Sequence, residues 1–308
     1  MTNQTIDFIG IGSGRSGSTW LSKCLHQHPD ILFPRPDEKV GYTGALNEEI
    51  IKEMDFFTGL HDKRDFENSH LYTYGRGFDW YLRQFPAAEP GKIRGEFSPI
   101  YFVDPLSPQF IHDVLPNVKL LAILRNPVDL VYSYYLLRSN SIEFGHKFTF
   151  EQAIDRGYLL NRGEHHQNLS RFLKLFPREQ FHVMRFDQIK ENPAELVRGA
   201  YEFLGVRSDF VPAALHQKVN ATKKVKHEKV QSSAAAVMGA MNRFGLKRVK
   251  DQLVRNAKLY SLYCRFNTAE SNYQPMNPST RRRLIDHYRP DIERLEQLLN
   301  WDLTNWKQ

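Results

Sequence analysis

The stretch Phe8-Ile9-Gly10-Ile11-Gly12-Ser13-Gly14-Arg15-Ser16-Gly17-Ser18-Thr19-Trp20-Leu21 constrains this chain more than any other. An apolar run suited to a buried strand turns through closely spaced glycines into a segment that reads as a helix. The glycines let the backbone curl so that successive N–H groups converge, and the helix adds its positive N-terminal end. The expected product is a strand, an anion cradle and a helix in direct succession.

The spacing Gly12-x-x-x-x-Gly17-Ser18-Thr19 almost satisfies the nucleotide-triphosphate loop, which requires a lysine where Ser18 stands. Here the charge has moved inside the loop to Arg15, whose fork of donors suits an anion on the face of Ser18 and Thr19. A second apolar run, Val118-Lys119-Leu120-Leu121-Ala122-Ile123-Leu124, has the character of a parallel strand buried on both faces. A magnesium-dependent phosphotransferase would follow it with an acidic residue, whereas this chain follows it with Arg125. Asn126-Pro127 then opens a helix, and Ser133 comes about two turns after Arg125. A cation at a strand end with a hydroxyl near it describes a second phosphate pocket, not a metal site.

Two anion sites on separate strand-to-helix turns fit a nucleotide with phosphates at both ends of its ribose. On these residues the chain resembles the sulfotransferases that use 3′-phosphoadenosine 5′-phosphosulfate (PAPS), and within them the heparan sulfate branch and its bacterial relatives. The resemblance runs through His28-Pro29-Asp30, Arg76-Gly77-Phe78-Asp79-Trp80-Tyr81, Gly95-Glu96-Phe97-Ser98-Pro99-Ile100-Tyr101-Phe102 and Leu124-Arg125-Asn126-Pro127. It resumes at Arg185-Phe186-Asp187-Gln188-Ile189, Phe203-Leu204-Gly205-Val206 and Tyr288-Arg289-Pro290-Asp291.

The resemblance implies that Gly14, Arg15, Ser16, Gly17, Ser18 and Thr19 bind the 5′-phosphosulfate, with Arg15 bracing the bridge as charge develops on it. It assigns the 3′-phosphate to Arg125 and Ser133, and offers Lys223 and Lys224 from a loop that closes over the nucleotide. The base is a glutamate in Lys52-Glu53-Met54-Asp55-Phe56-Phe57, which makes Glu53 the candidate; a gap-free alignment from His28 puts Asp37 or Glu38 there instead. Glu96 and Ser98 are further catalytic candidates in a motif near the base, Glu96 to orient Arg15 or the acceptor, and relatives carry lysine in place of Phe97. Expected ligands are PAPS, its product adenosine 3′,5′-bisphosphate, and a hydroxyl, or less favourably an amine, of a glycan, glycolipid or other alcohol. No metal is required.

Strands alternate with helices, so the fold class is α/β, a P-loop-like parallel sheet with helices on both faces. Helices are predicted at 17–27, 77–85, 107–114, 127–139, 149–155, 164–175, 193–204 and 278–299, the last kinked at Pro290. Strands are predicted at 6–11, 93–96, 118–124 and 180–185, and residues 31–75 read as a passage poor in motifs. With 308 residues and 41% hydrophobic content, one domain over 1–308 is the simplest reading, with 230–265 a helical insertion or lid.

The formal charge of +7, much of it between residues 218 and 265, favours an anionic ligand and allows peripheral membrane contact there. That segment lacks the closely interleaved aromatics of a nucleic-acid platform. Two cysteines, Cys24 and Cys264, are too few for a disulfide framework or zinc site, and His165-His166 read as surface residues. No run approaches about 18 apolar residues and the first residues lack a basic-then-apolar pattern, so a cytoplasmic location is expected. The competing readings are a P-loop kinase-like phosphotransferase, disfavoured by Ser18 and Arg125, and a non-catalytic nucleotide-binding module, disfavoured by the intact Arg15, Arg125 and Ser133.

Overall fold

The apolar runs become strands β1 (Phe8–Gly12), β2 (Ile31–Leu32), β3 (Ala45–Asn47), β4 (Ile50–Ile51), β5 (Ile93–Phe97), β6 (Lys119–Leu124) and β7 (Phe181–Arg185), followed by β8 (Lys223–Val225) and β9 (Thr268–Glu270). The helices are α1 (Ser18–His26), α2 (Phe78–Leu82), α3 (Ser107–Val114), α4 (Pro127–Ser139), α5 (Phe150–Asp155), α6 (His165–Leu173), α7 (Gln188–Glu191), α8 (Pro193–Leu204) and α9 (Pro278–Leu299). The structure is a computed structural model that describes residues 5–35, 45–47, 50–51, 53–59, 74–139, 148–217, 223–225, 268–270 and 275–308, with isolated positions from 233 to 246. It divides into two compact units, residues 1–127, 164–219 and 288–308 in the first, 128–163 and 220–287 in the second.

The first unit is built on a five-stranded sheet in the order β2-β5-β1-β6-β7, every pairing parallel. β1 and β6 lie inside it and are fully buried but for Lys119, as expected of strands covered on both faces. Trp20, Leu21, Cys24 and Leu25 of α1 and Leu196, Val197, Ala200 and Tyr201 of α8 pack with Leu121, Ile123 and Met184 on one face. Alternation along the strands turns Ile9, Ile11, Leu120 and Ala122 to the other face. Burial pushes the Cys24 thiol up to about 12.

β1 and β5 pair Phe8 with Gly95 and Gly10 with Phe97. Each phenylalanine ring lies over the glycine opposite: a Cβ at Gly10 would stand 2.1 Å from the Phe97 ring, and one at Gly95 would stand 2.3 Å from the Phe8 ring. The two residue types therefore work as cross-strand couples in which one supplies volume and the other space. This explains the aromatic residue at 97, which is buried against Phe8 and α1 instead of projecting a charge.

In the second unit, Tyr132 and Tyr135 of α4 pack against Phe150 of α5 with ring centroids 4.8 and 5.1 Å apart. Arg281 pairs with Asp129 at 2.7 Å and Arg283 with Asp155 at 2.9 Å, joining the start of α9 to the same helices. β8 and β9 pair antiparallel, with Lys223 opposite Glu270. The predicted bounds of α3, α4, α8 and α9 match residue for residue, and Pro290 lies inside α9. β2 and the β3–β4 hairpin are additions to the passage read as poor in motifs. Most of 230–265 lies outside the described residues.

Gly95→Ala should destabilise the protein by about 1 to 3 kcal/mol, because the new methyl meets the Phe8 carbonyl oxygen at 2.5 Å as well as its ring, and backbone cannot swing aside. A urea titration should give a lower midpoint with an unchanged slope. A midpoint at the wild-type value would show that the sheet accommodates the methyl and that the ring-over-glycine couple carries no packing constraint.

Candidate active site

Residues following β1, β5, β6 and β7 meet at the carboxyl edge of the sheet, where ligands of open α/β folds bind. The ladder continues past the strand ends: Ser13 N–H donates to the Ile123 carbonyl at 2.9 Å, Ser98 N–H to that of Gly10 at 2.8 Å, and Phe186 N–H to that of Leu124 at 2.7 Å. The glycine-rich loop is thereby fastened to both neighbours of β1.

Inside the loop, Arg15 adopts the left-handed conformation at φ 62° and Gly17, which precedes α1, at φ 89°. A Cβ on Gly17 would stand 2.3 Å from Ile189, so only glycine fits there. The Ser16 hydroxyl is buried and lies 2.6 Å from that of Ser13, which also donates to the Ile123 carbonyl at 3.1 Å. Ser16 thus spends its side chain on holding the loop and offers a ligand its backbone. Ser18 and Thr19 form the first turn of α1.

Arg125 follows β6. Its guanidinium donates to the Arg15 carbonyl at 3.1 Å and lies 4.7 Å from the centre of the Phe186 ring. The two arginines singled out from the sequence are therefore linked, the side chain of Arg125 to the backbone of Arg15. Ser133 is buried on α4, and Lys223 and Lys224 belong to β8, a strand where a closing loop was expected. These three residues lie in the second unit. Asp37 and Glu38 fall outside the described residues.

Glu96, at the end of β5, is fully buried. One carboxylate oxygen accepts from the Tyr81 hydroxyl at 3.0 Å and the Tyr101 hydroxyl at 2.8 Å; the other accepts from the Ser98 hydroxyl at 2.5 Å and the Met54 N–H at 3.3 Å. The Asp55 N–H donates to the Ser98 hydroxyl oxygen at 3.0 Å, and the Phe57 N–H to that of Tyr101 at 3.3 Å. The effect is to clamp residues 54–57 to the end of β5, which sets the backbone that carries Glu53. Phe56 and Phe57 pack on Tyr81 at centroid distances of 4.6 and 5.0 Å and complete the clamp.

Burial raises the Glu96 carboxyl from 4.5 to about 7, against the four hydrogen bonds that favour its ionised form. Both phenols are held well above their ordinary range by the same burial and by the carboxylate, so they remain donors. Tyr81 and Tyr101 were missed as members of this cluster, although both lie in the segments that carry the family resemblance. His165, read as a surface residue, is in fact buried, and its Nε2–H donates to the Arg125 carbonyl at 2.7 Å. His28 is likewise buried, bonded through Nε2 to the Arg207 carbonyl at 2.8 Å, which ties the end of α1 to the chain beyond α8.

A carboxyl whose folded value is raised contributes stability below its unfolded value and loses it as pH rises through the folded one. For Glu96 the window is pH 4.5 to about 7 and the loss about 3 kcal/mol. Glu96→Gln keeps the shape, and hydroxyls can turn to accept from its amide. The difference in urea midpoint between wild type and Glu96→Gln should therefore change across pH 5 to 8, the wild type falling behind at the alkaline end. A constant difference would mean that Glu96 is ionised throughout.

The family model of the sulfotransferase domain matches residues 5–287. The mouse bifunctional heparan sulfate N-deacetylase/N-sulfotransferase 1 is 29% identical over 215 residues, which cover 64% of this chain and 22% of the relative. The Drosophila melanogaster bifunctional enzyme is 26% identical over 226 residues, 65% of this chain and 20% of the relative, so the chain spans about a fifth of the curated relatives it matches. A solved sulfotransferase from Alicyclobacillus acidocaldarius superposes with a TM-score of 0.65 at 25% identity, covering 99% of both chains. The glycine-rich loop, the arginine after β6 and the buried carboxyl group at the end of β5 all lie within the matched residues, and this chain belongs to the sulfotransferase-domain family.

Proposed function

We propose that the protein transfers the sulfuryl group of PAPS to a hydroxyl of a glycan, a glycolipid or another alcohol. The observation that carries this reading is the Arg125 guanidinium donating to the Arg15 carbonyl, which ties the arginine after β6 to the glycine loop after β1, with arginine and not an acidic residue directly following β6. The donor set suits a bisphosphate nucleotide: an arginine within a glycine loop, a helix N-terminus at Ser18, and a second arginine stacked on an aromatic ring. PAPS, when bound, supplies an activated sulfuryl group on a phosphate leaving group. Arg15 and the backbone N–H groups of residues 16–19 hold the 5′ end, and Arg125 holds the 3′-phosphate; Ser133, Lys223 and Lys224 remain candidates for that phosphate on the family resemblance alone.

Glu53 takes the proton of the attacking hydroxyl, while Glu96 and Ser98 act by holding the Met54 and Asp55 N–H groups and with them the Glu53 backbone. Arg15 meets charge as it develops on the departing phosphate, which lowers the barrier more than it tightens the ground state. None of these roles calls on a metal ion. A second reading, an amine acceptor, is favoured by the names of the mouse and fly relatives, which are N-sulfotransferases.

Arg125→Ala should weaken binding of adenosine 3′,5′-bisphosphate by at least about 30-fold and that of adenosine 5′-phosphate far less, as measured by calorimetric titration. Equal losses for both would remove the 3′-phosphate from this residue. Glu53→Gln should leave bisphosphate binding unchanged and lower turnover by about 100-fold or more. Near-normal turnover in Glu53→Gln, with loss in Asp37→Asn or Glu38→Gln, would move the base to residue 37 or 38.

A further inference from the structure

His165 opens α6, and its Nε2 lies 2.7 Å from the Arg125 carbonyl oxygen. A carbonyl only accepts, so this ring nitrogen carries the hydrogen. The ring is buried between Phe102 and Trp306, with centroids 6.0 and 5.9 Å away. Burial disfavours its protonated form, outweighing the Arg125 carbonyl and the Asp291 carboxylate, which pull the other way. In the neutral ring Nδ1 is then an acceptor. It is buried and has no hydrogen-bond partner among the described residues, and the same holds for the Trp306 Nε1–H, which is a donor. Two adjacent buried rings thus carry complementary, unsatisfied polar atoms, an arrangement that is unfavourable unless they are joined.

The surroundings hold both rings in place. Asp291 accepts the N–H groups of His166 at 2.9 Å and Gln167 at 3.1 Å, so α9 caps the first turn of α6. Glu296 accepts the Leu303 N–H at 2.9 Å and pairs with Lys307 at 2.6 Å, fixing the short turn that carries Trp306. Asp291, Glu296, Leu303, Trp306 and Lys307 lie beyond residue 287, where the family match ends.

We propose that His165 is a positioning residue for Arg125, its Nε2–H holding the Arg125 carbonyl while its Nδ1 accepts the Trp306 indole N–H through one buried water. Residues 300–308 thereby set the aim of the phosphate-binding guanidinium from behind. The inference rests on the assignment of Arg125 to the 3′-phosphate, and its test separates the two.

Affinities for adenosine 3′,5′-bisphosphate and adenosine 5′-phosphate are measured for His165→Leu, His165→Gln and Trp306→Phe beside Arg125→Ala. His165→Leu should lose about 5- to 10-fold for the bisphosphate and little for the monophosphate, the size of one buried hydrogen bond. His165→Gln, which can place an amide N–H where Nε2–H was, should recover most of it. Trp306→Phe should shift the ratio in the same direction by less. Equal losses for both nucleotides in His165→Leu, or no recovery in His165→Gln, would overturn the positioning role.

If Arg125→Ala fails to discriminate the nucleotides, the 3′-phosphate assignment falls, and the ring contacts are decided by nitrogen NMR of labelled histidine. The expected signature is a neutral ring protonated at Nε2, whose Nδ1 resonance moves in Trp306→Phe. A Nδ1–H ring, or a resonance indifferent to Trp306, would overturn the inference.

Discussion

A carboxyl group without water organises one side of this site. Glu96 is closed off from solvent, and a buried carboxylate is tolerable only where donors replace its hydration. Four donors do so, and they come from separate parts of the chain: the turn after β5, α2, and the segment after residue 53. Satisfying one side chain therefore assembles a surface. The aromatic rings of Phe56, Phe57, Tyr81 and Tyr101 exclude water from the group they serve, so the packing and the polar cluster depend on each other.

The other side of the site is organised by backbone. The ladder bonds that run past the ends of β1 and β6 leave the loop at 13–17 little freedom, and the serine pair inside it removes more. Arg125 then crosses from one loop to the other, and its own carbonyl is held by His165. Preorganisation of this kind spares a bound anion the cost of ordering the groups that receive it.

Much of this was legible beforehand. Long periodic helices such as 193–204 and 278–299 announce themselves because apolar spacing, a proline at the start and a residue suited to the left-handed conformation after the end, Gly205 and Asn300, agree. Arg15 stood out because the lysine that a better-known motif demands at Ser18 is missing beside it, and Arg125 because it stands where such a motif demands an acidic residue. β2 escaped because two residues carry no periodicity. His165 escaped for a different reason: a histidine beside another histidine looks like surface until the Arg125 carbonyl and the Trp306 ring, distant in sequence, are brought to it. The donors of Glu96 were present in quoted segments, yet nothing in their spacing says that they converge on one oxygen pair.

The thiol of Cys24 sits under α1 on the face of the sheet that α8 also covers, and burial keeps it protonated far beyond neutral pH. A protonated thiol is a poor nucleophile, so alkylating reagents meet an inert group while the helix is docked. Once α1 lifts away, the same sulfur regains ordinary acidity and reacts. Its labelling rate thus counts the moments when the helix that follows the glycine loop separates from the sheet, a clock of local opening built into the anion-binding end of the fold.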